Sequence, residues 1–257
     1  MTDIDYETGF NARAQVPEHP AIFARWRQQA QAWRATAPGL LGLRFGDTGR
    51  QALDLFLPEA ERTALFIHGG WWRAMERETF SHVARGLNGH GIAVAVTGYD
   101  LCPDVTIGEI VEQMRRAVGM LVGQSGRRVT VFGHSAGGHL AAVLASAMPD
   151  HVAAGYGISG VFDLAPLTGV AMNADLKLDA DTARALSPVH MAPAPFDCVL
   201  GGLESGAFKA QSRTLAQRWG APYLEIEGAN HFTVLDPLCD PESAMVARLA
   251  EICAKNS

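Results

Sequence analysis

From residue 63 onward, the chain alternates short, predominantly apolar runs with longer stretches of helical periodicity. Runs at 64–68, 92–97, 129–132, 152–158, 196–200 and 223–226 are predominantly apolar without regular alternation, the pattern of strands covered on both faces. Segments 78–90, 107–122, 135–147, 208–219 and 241–254 between them read as helices. Strands alternating with helices predict a parallel sheet, because each crossover lays a helix on one face before the next strand pairs. Upstream, residues 20–37 carry Ile22, Phe23, Trp26 and Trp33 at helical spacing until Pro38-Gly39 stops them; this helix is expected near the site entrance or on the sheet edge. Residues 40–45 and 52–57 alternate around the turn Gly46-Asp47-Thr48-Gly49, an antiparallel hairpin at the sheet edge. The expected architecture is α/β: a mostly parallel central sheet of about eight strands with helices on both faces. No linker or repeat divides it, so 1–257 reads as one domain, with an N-terminal helical segment over 1–38. A strandless interval near 160–195 is expected to cap the strand ends.

The run at 129–132 feeds directly into Gly133-His134-Ser135-Ala136-Gly137-Gly138-His139 and then into an alanine-rich helix. Gly133, Ser135 and Gly137 form a Gly-x-Ser-x-Gly elbow, in which small flanking residues let the backbone turn sharply enough to lift a nucleophilic serine above the strand ends. A serine hydroxyl needs a base to take its proton and an acid to orient that base. Beyond the elbow helix lie His151, His190 and His231, and His231, following the last strand, is the expected base. The acid belongs just past the penultimate strand, where Gly201-Gly202-Leu203-Glu204 offers Glu204; Asp163, after the preceding strand, competes for the role. Charge on a tetrahedral intermediate calls for N–H donors aimed at it. Gly69 and Gly70 in His68-Gly69-Gly70-Trp71-Trp72, and Ala136 directly after Ser135, are the candidates.

Trp71, Trp72 and His139 are candidate substrate contacts. Two adjacent indoles cannot readily both be buried, although a tryptophan behind a strand also suits the core. His134 and His139, flanking the serine, suit packing or hydrogen bonding better than metal ligation. Gly155-Tyr156-Gly157-Ile158-Ser159-Gly160 matches a dinucleotide-binding pattern, but no helix start follows it.

Composition narrows the partners. The chain is 48% hydrophobic and 19% charged, a globular rather than disordered balance, with 27 acidic against 21 basic residues and a net charge of −6. That sign offers no footprint for nucleic acid or an anionic membrane, so a small-molecule substrate is the expected partner, with a homodimer left open. The stretch Met1-Thr2-Asp3-Ile4-Asp5-Tyr6-Glu7 lacks the basic and apolar run of a signal peptide, and no apolar stretch reaches membrane-spanning length. Four scattered cysteines show neither disulfide nor ligand spacing, so free thiols, a cytoplasmic location and no metal are expected.

On these motifs, the chain from about residue 40 onward resembles the α/β-hydrolase superfamily. Within it, His68-Gly69-Gly70-Trp71-Trp72 is similar to the His-Gly-Gly-x-Trp segment of the serine-type arylformamidases (kynurenine formamidases), which adjoin the hormone-sensitive-lipase-like esterases. Residues 133–139 resemble their elbow, and Tyr99-Asp100-Leu101-Cys102-Pro103 their Tyr-x-Leu-x-Pro segment. The resemblance implies an α/β-hydrolase fold, no cofactor, and hydrolysis of an N-formyl aryl amide such as N-formylkynurenine to an amine and formate. Short-chain ester hydrolysis is the alternative, and non-catalytic binding of a small molecule a more distant one. Many such relatives use aspartate as the acid where this chain offers Glu204.

Overall fold

The computed structural model describes residues 4–57 and 59–255, so Met1, Thr2 and Asp3 of the acidic N-terminal stretch lie outside the described residues. Eight strands form one sheet in the order β1-β2-β4-β3-β5-β6-β7-β8. They are β1 Gly39–Arg44, β2 Ala52–Phe56, β3 Thr63–Ile67, β4 Ala93–Thr97, β5 Val129–His134, β6 Val152–Ile158, β7 Phe196–Gly201 and β8 Tyr223–Ile226. Pairings β1–β2 and β2–β4 are antiparallel, and every pairing among β3 to β8 is parallel. Strands β4 to β7 are buried at every position, in keeping with their predominantly apolar sequences, while β1 is mostly exposed at its edge.

The helices are α1 Tyr6–Gly9, α2 Ala12–Gln15, α3 His19–Thr36, α4 Ala84–Gly89, α5 Ile107–Ser125, α6 Ala136–Ala147, α7 Asn173–Leu176, α8 Ala180–Leu186, α9 Gly206–Trp219 and α10 Ala244–Lys255. Local chemistry sets their ends. A reciprocal capping box between Thr106 and Glu109 starts α5, and Gly126, in the left-handed region at φ 67°, ends it. Ser205 caps α9, and Gly220 closes it in the same conformation. Helix α3 is tied to the sheet through Asp54, a fully buried carboxylate on β2 that pairs with Arg34 and accepts from Gly42 N at 2.8 Å. Arg77 Nε, from a 3-10 turn that packs against α3, approaches the same carboxylate at 3.4 Å, so two cations balance this buried charge.

Three segments depart from the sequence reading. Residues 78–90 are not one helix but a 3-10 turn, Arg77–Val83, followed by α4. Five consecutive residues from Thr79 to Val83 are buried there, which leaves no solvent face for an amphipathic helix. The last helix starts at Ala244 rather than 241, because Ser243 Oγ accepts from Val246 N at 3.1 Å and so stands as the cap after Pro241. The interval 160–195 holds α7, α8 and two 3-10 turns. It lines the cavity at the strand ends only in part, since Phe10 and Arg13, before α3, and Phe23, on it, line the cavity as well.

The pattern rejected as a dinucleotide site has a packing origin. A Cβ at Gly155 would fall 2.4 Å from the Phe196 ring, and one at Gly160 would fall 2.2 Å from the Phe162 ring, so these glycines make room for two core aromatics.

What positions the site is a reversal of strand order at β3. The chain leaves β3 for β4 on one side and returns to β5 on the other, so the loops after β3 and β5 diverge and open a crevice at their C-terminal ends. Ile67 is in register with Gly133, which sets the Gly69-Gly70 loop beside Ser135.

Candidate active site

Ser135 stands between β5 and α6 with φ 55° and ψ −118°, a conformation that L-residues rarely adopt. Neighbouring backbone leaves no room for side chains around it. A Cβ on Gly133 would sit 2.2 Å from Gly137 O, and one on Gly137 would sit 1.9 Å from Ile67 O. The Ser135 N–H is engaged with Ile158 O at 2.8 Å, while the N–H of Ala136, the first residue of α6, is one of the first-turn donors without a partner inside the helix. The Gly69 loop closes on the elbow from the other side. A Cβ on Gly69 would meet His134 O at 2.9 Å and Ser135 Cβ at 3.0 Å, and Gly70, at φ 110°, would drive one to 2.3 Å from Ala74 O.

His231 is 5% exposed and its Nδ1 lies 2.7 Å from Glu204 Oε2. That contact leaves Nε2 as the ring nitrogen open to a substrate. Phe208, from the first turn of α9, covers the imidazole with ring centroids 4.2 Å apart. The other carboxylate oxygen, Glu204 Oε1, accepts from Gly201 N at 2.7 Å and from Ser159 Oγ at 2.5 Å. Asp163 makes no comparable contact: its carboxylate accepts from Ala165 N at 3.0 Å, within its own turn. Of the two acids left open by the sequence, Glu204 is the one beside the histidine.

The surrounding histidines are held neutral by burial. His68 lies stacked between Tyr99, at 4.3 Å, and Phe80, at 5.7 Å, and burial pulls its pKa down to about 4. His134 Nε2 donates to His231 O at 2.7 Å, and its pKa is lowered first by burial and then by the nearby His231.

Ser135, His134, His231, Gly69 and Gly70 share the wall of a cavity of about 590 Å³. Trp71, Phe80, Cys102 and Pro103 line its sides, so the Tyr99 to Pro103 segment reaches the site. The roof comes from Phe10, Arg13 and Phe23 on one side and Met172 and Asp175 on the other. Arg73, also on the wall, is paired with Asp175 at 2.5 Å, whereas Arg13 stands over the Phe23 ring at 5.7 Å.

Two expected substrate contacts belong instead to the core. Trp72 is fully buried and meets His139 edge-on at 5.0 Å, while His139 bonds Leu186 O at 2.8 Å. Neither side chain is on the cavity wall. The cause is the backbone: Trp71 and Trp72 both take left-handed φ angles, 55° and 56°, so the chain coils back and only the first indole faces the cavity. Sequence reading also missed Ser159, Phe208 and the cavity lining from Phe10 and Arg13. Only Ser159 carried a signal, since it follows a strand and precedes a glycine in the segment set aside as a nucleotide pattern.

Comparison with known proteins agrees with this architecture. Residues 64–193 match a family described as having the alpha/beta hydrolase fold. Kynurenine formamidase of Salmo salar is 25% identical over 249 residues, spanning 87% of this chain and 85% of its own. A solved structure from Silicibacter sp. tm1040, described as a candidate thioesterase, is 34% identical with a TM-score of 0.89, covering 95% of this chain and 98% of that one. Esterase B of Lactobacillus rhamnosis shares the fold at a TM-score of 0.67 and 20% identity, covering 94% of this chain and 97% of its own.

Proposed function

Because the chain belongs to the α/β-hydrolase fold family, we propose that it is a serine hydrolase that cleaves an N-formyl aryl amide, such as N-formylkynurenine, to an amine and formate. The observation that carries this reading is the shared wall: Ser135, His231 and the glycine loop face one cavity, with Glu204 2.7 Å behind the histidine. His231 Nε2 takes the Ser135 proton as Oγ attacks the formyl carbon, and the resulting oxyanion is held by the N–H groups of Gly69, Gly70 and Ala136. The intermediate collapses as His231 returns the proton to the departing nitrogen, leaving a formyl ester on Ser135. Water, activated by the same imidazole, then releases formate and restores the hydroxyl.

The leaving group determines which member of the chemistry this is. Trp71, Phe80 and Phe23 on the cavity wall suit an aryl group, and the Arg13 guanidinium at the roof suits a carboxylate carried by it. The formamidase relative supports the amide. The neighbour at 34% identity supports the second reading, hydrolysis of a short-chain ester or thioester by the same steps. Turnover of N-formylkynurenine, measured beside p-nitrophenyl acetate and butyrate, tests the choice. The proposal expects the formamide to have the higher kcat/KM; ester turnover with no formate release from the formamide contradicts it.

A further inference from the structure

Ser159 directly follows β6 and is buried completely, yet the hydrolysis described above gives it no part. Three features single it out. Its backbone adopts φ 52°, in the left-handed region where a residue with a Cβ is strained, although glycine would sit there freely and the next residue, Gly160, is one. Its N–H continues the parallel ladder to Val199 O on β7, at 2.7 Å. Its hydroxyl lies 2.5 Å from Glu204 Oε1, and since a carboxylate can only accept, the hydroxyl donates.

Glu204 Oε1 thus receives two donors from adjacent strand ends, Ser159 Oγ from β6 and Gly201 N from β7, while Oε2 faces His231 Nδ1. A glutamate side chain turns easily about its last torsion, which is broad and roughly two-fold. Held by Gly201 N alone, the carboxylate plane could rotate about that contact and swing Oε2 away from the imidazole. A second donor from a different strand fixes the plane. A glycine at 159 would relieve the backbone but lose the hydroxyl, so the contact with Glu204 is what the strained serine supplies and glycine could not.

We propose that Ser159 is a positioning residue for the hydrolysis: it orients the Glu204 carboxylate, and through it the His231 ring, without touching substrate. This rests on the reading of Ser135, His231 and Glu204 as the reacting set. The role predicts loss of kcat with KM unchanged, because Ser159 does not line the cavity and its hydroxyl is given to Glu204.

The test uses Ser159→Ala, Ser159→Gly, Glu204→Gln and the double variant Ser159→Ala/Glu204→Gln, with steady-state hydrolysis of p-nitrophenyl acetate and thermal unfolding for each. Ser159→Ala keeps the backbone strain and Ser159→Gly removes it, so the glycine variant melts higher, and it supplies the measurement if the alanine variant does not fold. Both are expected to lose about tenfold in kcat, equivalent to about 1.4 kcal/mol. In the Glu204→Gln background, Ser159→Ala adds no further loss, since the group it acts through is gone. Wild-type kcat in Ser159→Gly, activity that follows melting temperature rather than the hydroxyl, or additive losses in the double variant would overturn the proposal. Failure of the underlying reading looks different: Glu204→Gln would then itself leave kcat unchanged.

Discussion

His231 Nδ1 and Glu204 Oε2 lie 2.7 Å apart inside the protein, with the carboxylate side chain wholly excluded from solvent. A buried donor–acceptor pair of this kind holds one ring orientation and one tautomer, so its loss is felt in the chemical step. Glu204→Gln is expected to lower kcat by roughly three orders of magnitude or more, with the fold retained. Asp163→Asn is expected to stay within about twofold of wild type, since its carboxylate caps only a local turn. Steady-state kinetics on both variants separates the two acids; equal losses would contradict the pairing.

Gly69 supports a second prediction. A side chain there would press on His134 O and Ser135 Cβ at about 3 Å, so Gly69→Ala moves the loop away from the elbow rather than unfolding the sheet. Misplacing oxyanion donors typically costs about 10²–10³ in kcat. Pre-steady-state acylation by a p-nitrophenyl ester is expected to slow by that factor with the melting temperature little changed.

Trp71 and Trp72 should behave oppositely. Trp72→Ala empties a fully buried site and is expected to destabilise by about 3–5 kcal/mol, while KM ratios between aryl and alkyl substrates stay fixed. Trp71→Ala removes a cavity wall and is expected to raise KM for aryl substrates selectively, with a smaller change in stability. Denaturant melts paired with substrate panels distinguish these outcomes.

Acid should unfold the protein through its buried histidines. His68, His82 and His139 titrate at about 4 in the folded chain against an ordinary value of 6.5, burial being the main cause for each. Below 6.5 the unfolded chain takes up protons that the folded one refuses, so the stabilisation present above 6.5 is lost as pH falls toward 4. Calorimetry is expected to show the melting temperature dropping across that interval. A flat profile between pH 6.5 and 4 would contradict neutral burial.

The sheet was legible because two-sided burial leaves predominantly apolar runs; the six runs from 64–68 to 223–226 correspond to β3 through β8, the last of them, Tyr-Leu-Glu-Ile, lying at the half-exposed edge. Ser135, Glu204 and His231 could be located because strand ends and chain order locate them without knowledge of any contact. What was not legible depends on direction in space. The divergence of Trp71 from Trp72 turns on two φ angles, and the partnership of Ser159 with Glu204 spans 45 residues. The part of the cavity lining from Phe10 and Arg13 escaped because the two four-residue helices there carry no period to read, whereas Phe23 sits on the long helix expected near the site entrance.

The central claim is that Ser135 is the nucleophile. A fluorophosphonate probe, followed by intact mass and peptide mapping, tests it directly. The native protein is expected to gain one phosphonyl adduct, mapped to Ser135, with hydrolysis abolished in step; Ser135→Ala is expected to fold normally, resist labelling and lack turnover. An unlabelled native protein, an adduct on another serine, or substantial activity in Ser135→Ala would contradict the account.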